Sequence, residues 1–220
     1  MEGQGSDGPV QKEPEKNKVI IEAKDKAPFE VKNPALAEVL TKNPWAVDLL
    51  SKYREAYEEG FDSSFEVGQI VQESVAGLET TGYVFRGEEY DNLLLGALLH
   101  DVGKTPEAEF YKDPKRFRDD LQADEHVTKE QHPVKSYEMI APHNEKVAKI
   151  AARHHALKRI APYPDEPSII GTDDHAVILA SKVVAVVDVA QAILGRKEQR
   201  LYRDDTEIAG SDAVTLVKNE

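Results

Sequence analysis

The sequence predicts an all-α protein, a bundle of about seven to nine helices enclosing a buried cluster of ionisable side chains. Three observations carry that expectation. From residue 34 onward, apolar residues recur at helical spacing behind Asn-Pro start signals. Residues 88–99 hold Leu93-Leu94-Leu95 and Ala97-Leu98-Leu99, apolar on nearly every side, as a buried helix is. The stretch from His175 to Leu194 contains neither Gly nor Pro and is too long for an ordinary strand, although Val183 to Val187 reads as one by residue type.

Taken in order, residues 1–33 are rich in Gly, Gln, Pro, Lys and Glu, with little beyond Val19-Ile20-Ile21 that could pack. Such composition does not offset chain entropy, so a disordered N-terminal tail is expected, with a short strand at 18–22 as the alternative. Residues 34–220 form the helical domain, with leading helices over 34–60 and the chemistry-bearing core over 61–220. Asn33 caps a helix that opens at Pro34 and carries Leu36, Val39 and Leu40; Asn43-Pro44 repeats the device before Trp45. Gly60 is expected to end that second helix, and Asp62-Ser63-Ser64 to cap the next, which runs to Gly82. Further helices follow at roughly 124–131, 133–141, 144–158, 175–194 and 204–217, with Pro133 in a first helical position and His132 at the helix mouth.

Composition bounds the function. The 220-residue chain sets 28 basic against 41 acidic residues, a net charge of −13, which argues against broad binding to DNA or to an anionic membrane. Cysteine is absent, so any metal must be held by His, Asp or Glu. With no apolar leader and no uncharged 18-residue apolar run, a cytoplasmic protein that does not span a membrane is expected.

The informative residues are polar ones in apolar places. His100-Asp101 closes the buried helix, where charge is costly unless paired or metal-bound; a surface turn capped by Gly103 is the bland alternative. His154 shares a stripe with Val147, Ile150 and Ala151, and His155 lies about 100° round the helix. One inward histidine is commonly a hydrogen-bonded core residue, but two beside another inward pair favour a metal. Asp188 stands in Val183-Val184-Ala185-Val186-Val187-Asp188 with no basic residue three or four positions away, so it needs a distant cation or a solvated face. Imidazoles and carboxylates suit first-row divalent ions, and a bridging Asp permits a two-metal site that deprotonates a water and displaces a phosphoryl group. Lys146, Lys149, Arg153, Lys158 and Arg159, with no acidic residue between 146 and 164, suit an anionic ligand or an ordinary solvated helix face.

The run from Leu93 through His100-Asp101-Val102-Gly103-Lys104 resembles the signature helix of the HD superfamily of metal-dependent phosphohydrolases. It is closest to the HD-GYP branch, whose best-known members hydrolyse cyclic di-GMP. Leu121 leads to His132-Pro133; His154-His155, Asp188 and Arg200-Leu201-Tyr202-Arg203 follow in that branch's order. The resemblance implies His100, Asp101, His132, His154, His155 and Asp188 as metal ligands, with Asp101 bridging two divalent ions, Fe or Mn by preference and Zn, Co or Ni as alternatives. It assigns Lys104 to phosphate charge beside Asp101 in catalysis, and Tyr163, Arg200 and Arg203 to the substrate.

Departures from the pattern are specific. Glu66 stands where the branch has its first histidine ligand, with Asp62 one turn earlier. The Gly-Tyr-Pro triplet is Pro162-Tyr163-Pro164, and Ala156 and Arg159-Ile160 replace an acid and an Asp-Gly. The resemblance implies hydrolysis of a phosphodiester, a cyclic dinucleotide such as cyclic di-GMP, by metal-activated hydroxide. The alternatives are a nucleotide or phosphomonoester phosphatase, or a non-catalytic nucleotide- or protein-binding domain. The partner expected is a phosphorylated small molecule, with neither DNA nor membrane, and a homodimer is compatible with the reading.

Overall fold

The computed structural model describes residues 18–22, 26–79, 82–113, 123–156 and 163–201. Among them the architecture is all-α, with one small hairpin. Helix α1 (Pro34–Lys42) begins as its sequence dictates: Pro34 occupies the first turn and the Asn33 side chain accepts from the Ala35 and Leu36 amides. Helix α2 (Pro44–Ala56) follows, then α3 (Glu58–Glu79), α4 (Glu88–Leu99), a 3₁₀ turn (Val102–Glu107), α5 (Ala108–Lys112), α6 (Ala123–Ile140), α7 (Glu145–Ala152), α8 (Pro167–Ile170) and α9 (His175–Leu201).

Helix α4 is the axis of the domain. Every residue from Asn92 to Leu99 is buried, so it can be apolar all round because α1, α2, α3, α7 and α9 pack on its different faces. Helix α9 contributes Val177, Ala180, Val184 and Val187 to that core. By length and composition alone its His175–Leu194 part, of mean hydropathy 2.1, is apolar enough to cross a membrane.

Several expectations need correction. The described residues 18–22 and 26–33 are not a disordered tail: β1 (Val19–Ile21) and β2 (Phe29–Val31) pair antiparallel, Val19 opposite Val31 and Ile21 opposite Phe29. Ile21, Phe29 and Val31 are buried, and Phe29 meets Phe61 and Phe65 edge-on at 5.4 and 5.7 Å. Three anchors and a ready aromatic surface offset an ordering cost that composition alone suggested was too high. Residues 1–17 and the helix expected at 204–217 lie outside the described residues.

Gly60 does not end a helix, nor does Asp62-Ser63-Ser64 cap one. The break is the single residue Tyr57, and all four residues lie inside α3. Gly60 is there for space, since a Cβ would fall on the Tyr53 hydroxyl and the Tyr57 ring. Helix α6 is continuous through Pro133, where two helices were expected. Helix α7 stops at Ala152, so His154-His155 sit in the turn after it and not on the helix.

Candidate metal centre

Three histidines reach the centre by one local device. His100 and His154 follow the ends of α4 and α7, where last-turn carbonyls have no helical N–H to accept. Their Nδ1 atoms take those carbonyls: His100 to Ala97 O at 2.8 Å, His154 to Ala151 O at 2.5 Å. His132 is in mid-helix, yet it finds the same partner. Pro133 has no N–H for the Lys129 carbonyl four residues back, and His132 Nδ1 lies 2.6 Å from that freed oxygen. A carbonyl only accepts, so Nδ1 carries a proton in all three rings and Nε2 is the atom turned inward.

The three Nε2 atoms converge on Asp101, which is itself buried. Asp101 Oδ1 lies 3.2 Å from His132 Nε2 and 3.7 Å from His154 Nε2, while those two nitrogens are 3.2 Å apart. Oδ2 lies 3.4 Å from His100 Nε2 and pairs with the Lys104 ammonium. Asp188, across on α9, places Oδ1 3.5 Å from His100 Nε2, which is the distant partner its apolar helix required.

The protonation pattern has clear causes. Burial opposes a charge on His154, reinforced by His100 and His132, and its pKa falls to about 3. Burial also opposes a charge on His100, but Asp101 and Asp188 outweigh it and raise its pKa to about 10. Burial pushes the Asp101 carboxyl up, yet Lys104 and His100 prevail and hold it well below the usual range.

His132 and His154 are both held below the ordinary histidine pKa, so two bare imidazole nitrogens face each other and a carboxylate oxygen. Asp101 Oδ1 is buried and has no hydrogen-bond donor among the described residues. Three lone pairs aimed at one enclosed point are unfavourable unless a cation stands there. Two nitrogens sharing one ion at roughly 2.1 Å are held about 3 to 3.4 Å apart, which the 3.2 Å spacing matches. The residues fit a divalent metal. Two overlapping donor sets, His100–Asp101–His154 and His132–His154–His155, each have ligand atoms within 4.8 Å of one another.

Other expected residues fall differently. His155 is half-buried, its ring 4.7 Å from that of Tyr163, and burial followed by Asp101 and Asp188 raises the Tyr163 phenol. Lys104 lies 5.4 Å over the Tyr111 ring as well as on Asp101. Glu66 is exposed on α3 and belongs to neither donor set; it accepts from Gln191 Nε2 at 2.9 Å, three positions past Asp188. Asp62 is exposed one turn before it.

The basic cluster is locally engaged. Lys146 pairs with Asp174 at 3.5 Å and Lys149 with Glu145 at 3.6 Å, while Arg153 donates to the Ile170 carbonyl. Lys158, Arg159 and Arg203 lie outside the described residues, and Arg200 is in the last turn of α9. Sequence reasoning missed Ser136, buried one turn beyond His132 on the same helix face; only that spacing signalled it.

In the metal-free protein the shifts set a pH dependence. Below about 6.5 the unfolded chain protonates His154 while the folded chain does not until about pH 3, so stability falls with falling pH across that window. His100 acts oppositely: its contribution is complete below about 6.5 and is lost as pH rises through about 10. Thermal unfolding of chelator-treated protein should therefore peak near neutral pH and decline on both sides. A melting temperature flat from pH 4 to 9 would refute this assignment of protons.

A sequence model of the HD domain matches residues 60–193, more than half of the chain, and spans all the histidines and aspartates of this centre. No curated protein and no solved structure matches. Members of that family are generally metal-dependent hydrolases, and the buried His/Asp centre is of the kind such chemistry requires. The chain belongs to the HD domain family.

Proposed function

We propose that the chain is a metal-dependent phosphohydrolase of the HD-GYP kind, with two divalent ions, Fe or Mn, held by His100, Asp101, His132, His154, His155 and Asp188. The observation that carries this is the donorless Asp101 Oδ1 facing the Nε2 atoms of His132 and His154. Ions bound there supply the water activation and phosphoryl-oxygen polarisation that ester hydrolysis needs. The chain's own groups do the rest. Asp101 spans both donor sets, since Oδ1 faces His132 and His154 while Oδ2 faces His100. Lys104 offers a half-buried ammonium to phosphate charge, steadied by the Tyr111 ring. Tyr163 closes one side of the centre against His155. Glu66, held by Gln191 three positions past Asp188, is the candidate for an additional ligand at the mouth.

The substrate we propose is a phosphodiester, with cyclic dinucleotides such as cyclic di-GMP first in line, in the cytoplasm. A phosphomonoester is the second reading, favoured by the Tyr163 ring lying 4.7 Å from His155 and narrowing access on that side. Elemental analysis of protein purified without chelator or nickel resin should find about two Fe or Mn per chain. Turnover on a panel of cyclic dinucleotides, linear dinucleotides and monoesters then separates the two substrates. Absence of metal even after reconstitution would overturn both.

A further inference from the structure

The centre is assembled across two elements that are far apart in sequence. His100 and Asp101 lie at the end of α4, while His132 lies on α6, and the short separation of Asp101 Oδ1 from His132 Nε2 spans the two. Something must fix α6 against the turn that carries Asp101. We infer that Ser136 is that positioning residue, clamping the backbone on both sides of Asp101 to the helix turn that follows His132.

Ser136 is fully buried, four residues after His132 and so on the same face of α6. Its hydroxyl makes two hydrogen bonds, both to the Asp101 turn. Gly103 N–H donates to Ser136 Oγ at 2.9 Å, and Ser136 Oγ–H donates to the His100 carbonyl at 2.8 Å. Residues 100 and 103 flank Asp101, so one side chain holds the turn at two points. The approach is close enough that a Cβ at position 103 would lie 2.5 Å from the Ser136 nitrogen. No other side-chain hydrogen bond among the described residues links α6 to the segment from His100 to Gly103 apart from the ligands' own contacts. A slide of α6 along this seam would separate His132 from Asp101 without touching either ligand.

This rests on the metal-centre reading above, and the test separates the two. Cobalt(II) titration of the metal-free protein, followed by its visible absorption, reads affinity and ligand geometry together. For Ser136→Ala we expect about 10- to 100-fold weaker cobalt binding and an altered band shape, with helicity unchanged. Ser51→Ala is the control: it removes another buried hydroxyl, one that bonds only within its own helix to Val47 O, and should leave the titration as in wild type. Ser136→Thr keeps the hydroxyl and should restore affinity; it also carries the test if the alanine variant does not fold, and a folded threonine variant with the alanine defect would overturn the assignment. Wild-type cobalt affinity and spectrum in Ser136→Ala overturn the positioning role alone. Failure of the wild type to bind cobalt overturns the metal centre and this role with it.

Discussion

Asp101→Ala should bind less than a tenth of the wild-type metal and lose hydrolytic turnover by about 1000-fold or more, because a shared ligand costs more than the outer partners whose loss costs about 10- to 100-fold. Among the described residues Asp101 is the one carboxylate that faces all three buried histidines, at 3.2, 3.7 and 3.4 Å. Asp188 comes near His100 and lies within 4 Å of neither His132 nor His154, so it cannot substitute. The fold should survive. Removing one member of a buried ion pair costs about 3–5 kcal/mol when its partner stays charged and enclosed. Here His100 can shed its proton, since Asp101 is the first of the carboxylates that keep it charged, and Lys104, a fifth exposed, can turn toward water. What remains is a set of weakened polar contacts, about 1–3 kcal/mol. Asp101→Asn preserves the volume and should show the same loss of metal with a smaller loss of stability. Metal content, circular dichroism and turnover on the same preparations decide the matter. An asparagine variant with wild-type metal and turnover would show that the carboxylate is not the shared ligand.

The residues most legible in the sequence are those whose local environment leaves them no choice. Helix α4 is apolar on every face, which only a central helix tolerates, and His100-Asp101 at its end, like Asp188 within α9, is costly without a partner elsewhere. Physical reasoning on the chain alone reaches those positions. It fails where the deciding group lies far away in sequence. The strand pair Val19–Ile21 and Phe29–Val31 is set by Phe61 and Phe65, more than thirty residues past Phe29, which give Phe29 a surface its own segment lacks. Pro133 reads as a helix start because its lost N–H usually breaks a helix; inside α6 the freed Lys129 carbonyl is taken by His132, so the defect becomes part of the site. Gly60 reads as a stop because the Tyr53 and Tyr57 rings that exclude a side chain there are invisible to periodicity. Glu66 is singled out by the resemblance alone: its carboxylate is exposed and accepts from Gln191, a partner 125 residues on that no local pattern signals.

Gly103→Ala should lower the melting temperature by about 6–12 °C and abolish stoichiometric metal binding, although it adds a single methyl group. The glycine is not at a left-handed backbone position; positive φ occurs at Gly82 and Gly87 among the described glycines. Its role is space. A Cβ there would lie 2.5 Å from the Ser136 nitrogen and closer still to the His132 carbonyl oxygen. Both are backbone atoms of α6, so no flexible side-chain end can move aside, and the helix itself must retreat. Overpacking a well-packed site costs about 1–3 kcal/mol, and rigid neighbours put this case at the upper end or beyond. At about 2–4 °C per kcal/mol for a domain of this size, that gives the stated shift. The retreat moves His132 away from Asp101 and strains both hydrogen bonds of Ser136, so stability and metal affinity fall together. Gly77→Ala supplies the opposite sign. Gly77 lies near the end of α3 with nothing within 4 Å of where a Cβ would stand, so alanine there should stabilise by about 0.5–1 kcal/mol through lost freedom in the unfolded chain. Scanning calorimetry on metal-free samples of the two variants reads both signs. Equal melting temperatures for the pair would mean that α6 does not press on the Asp101 turn as closely as the Gly103 contact requires.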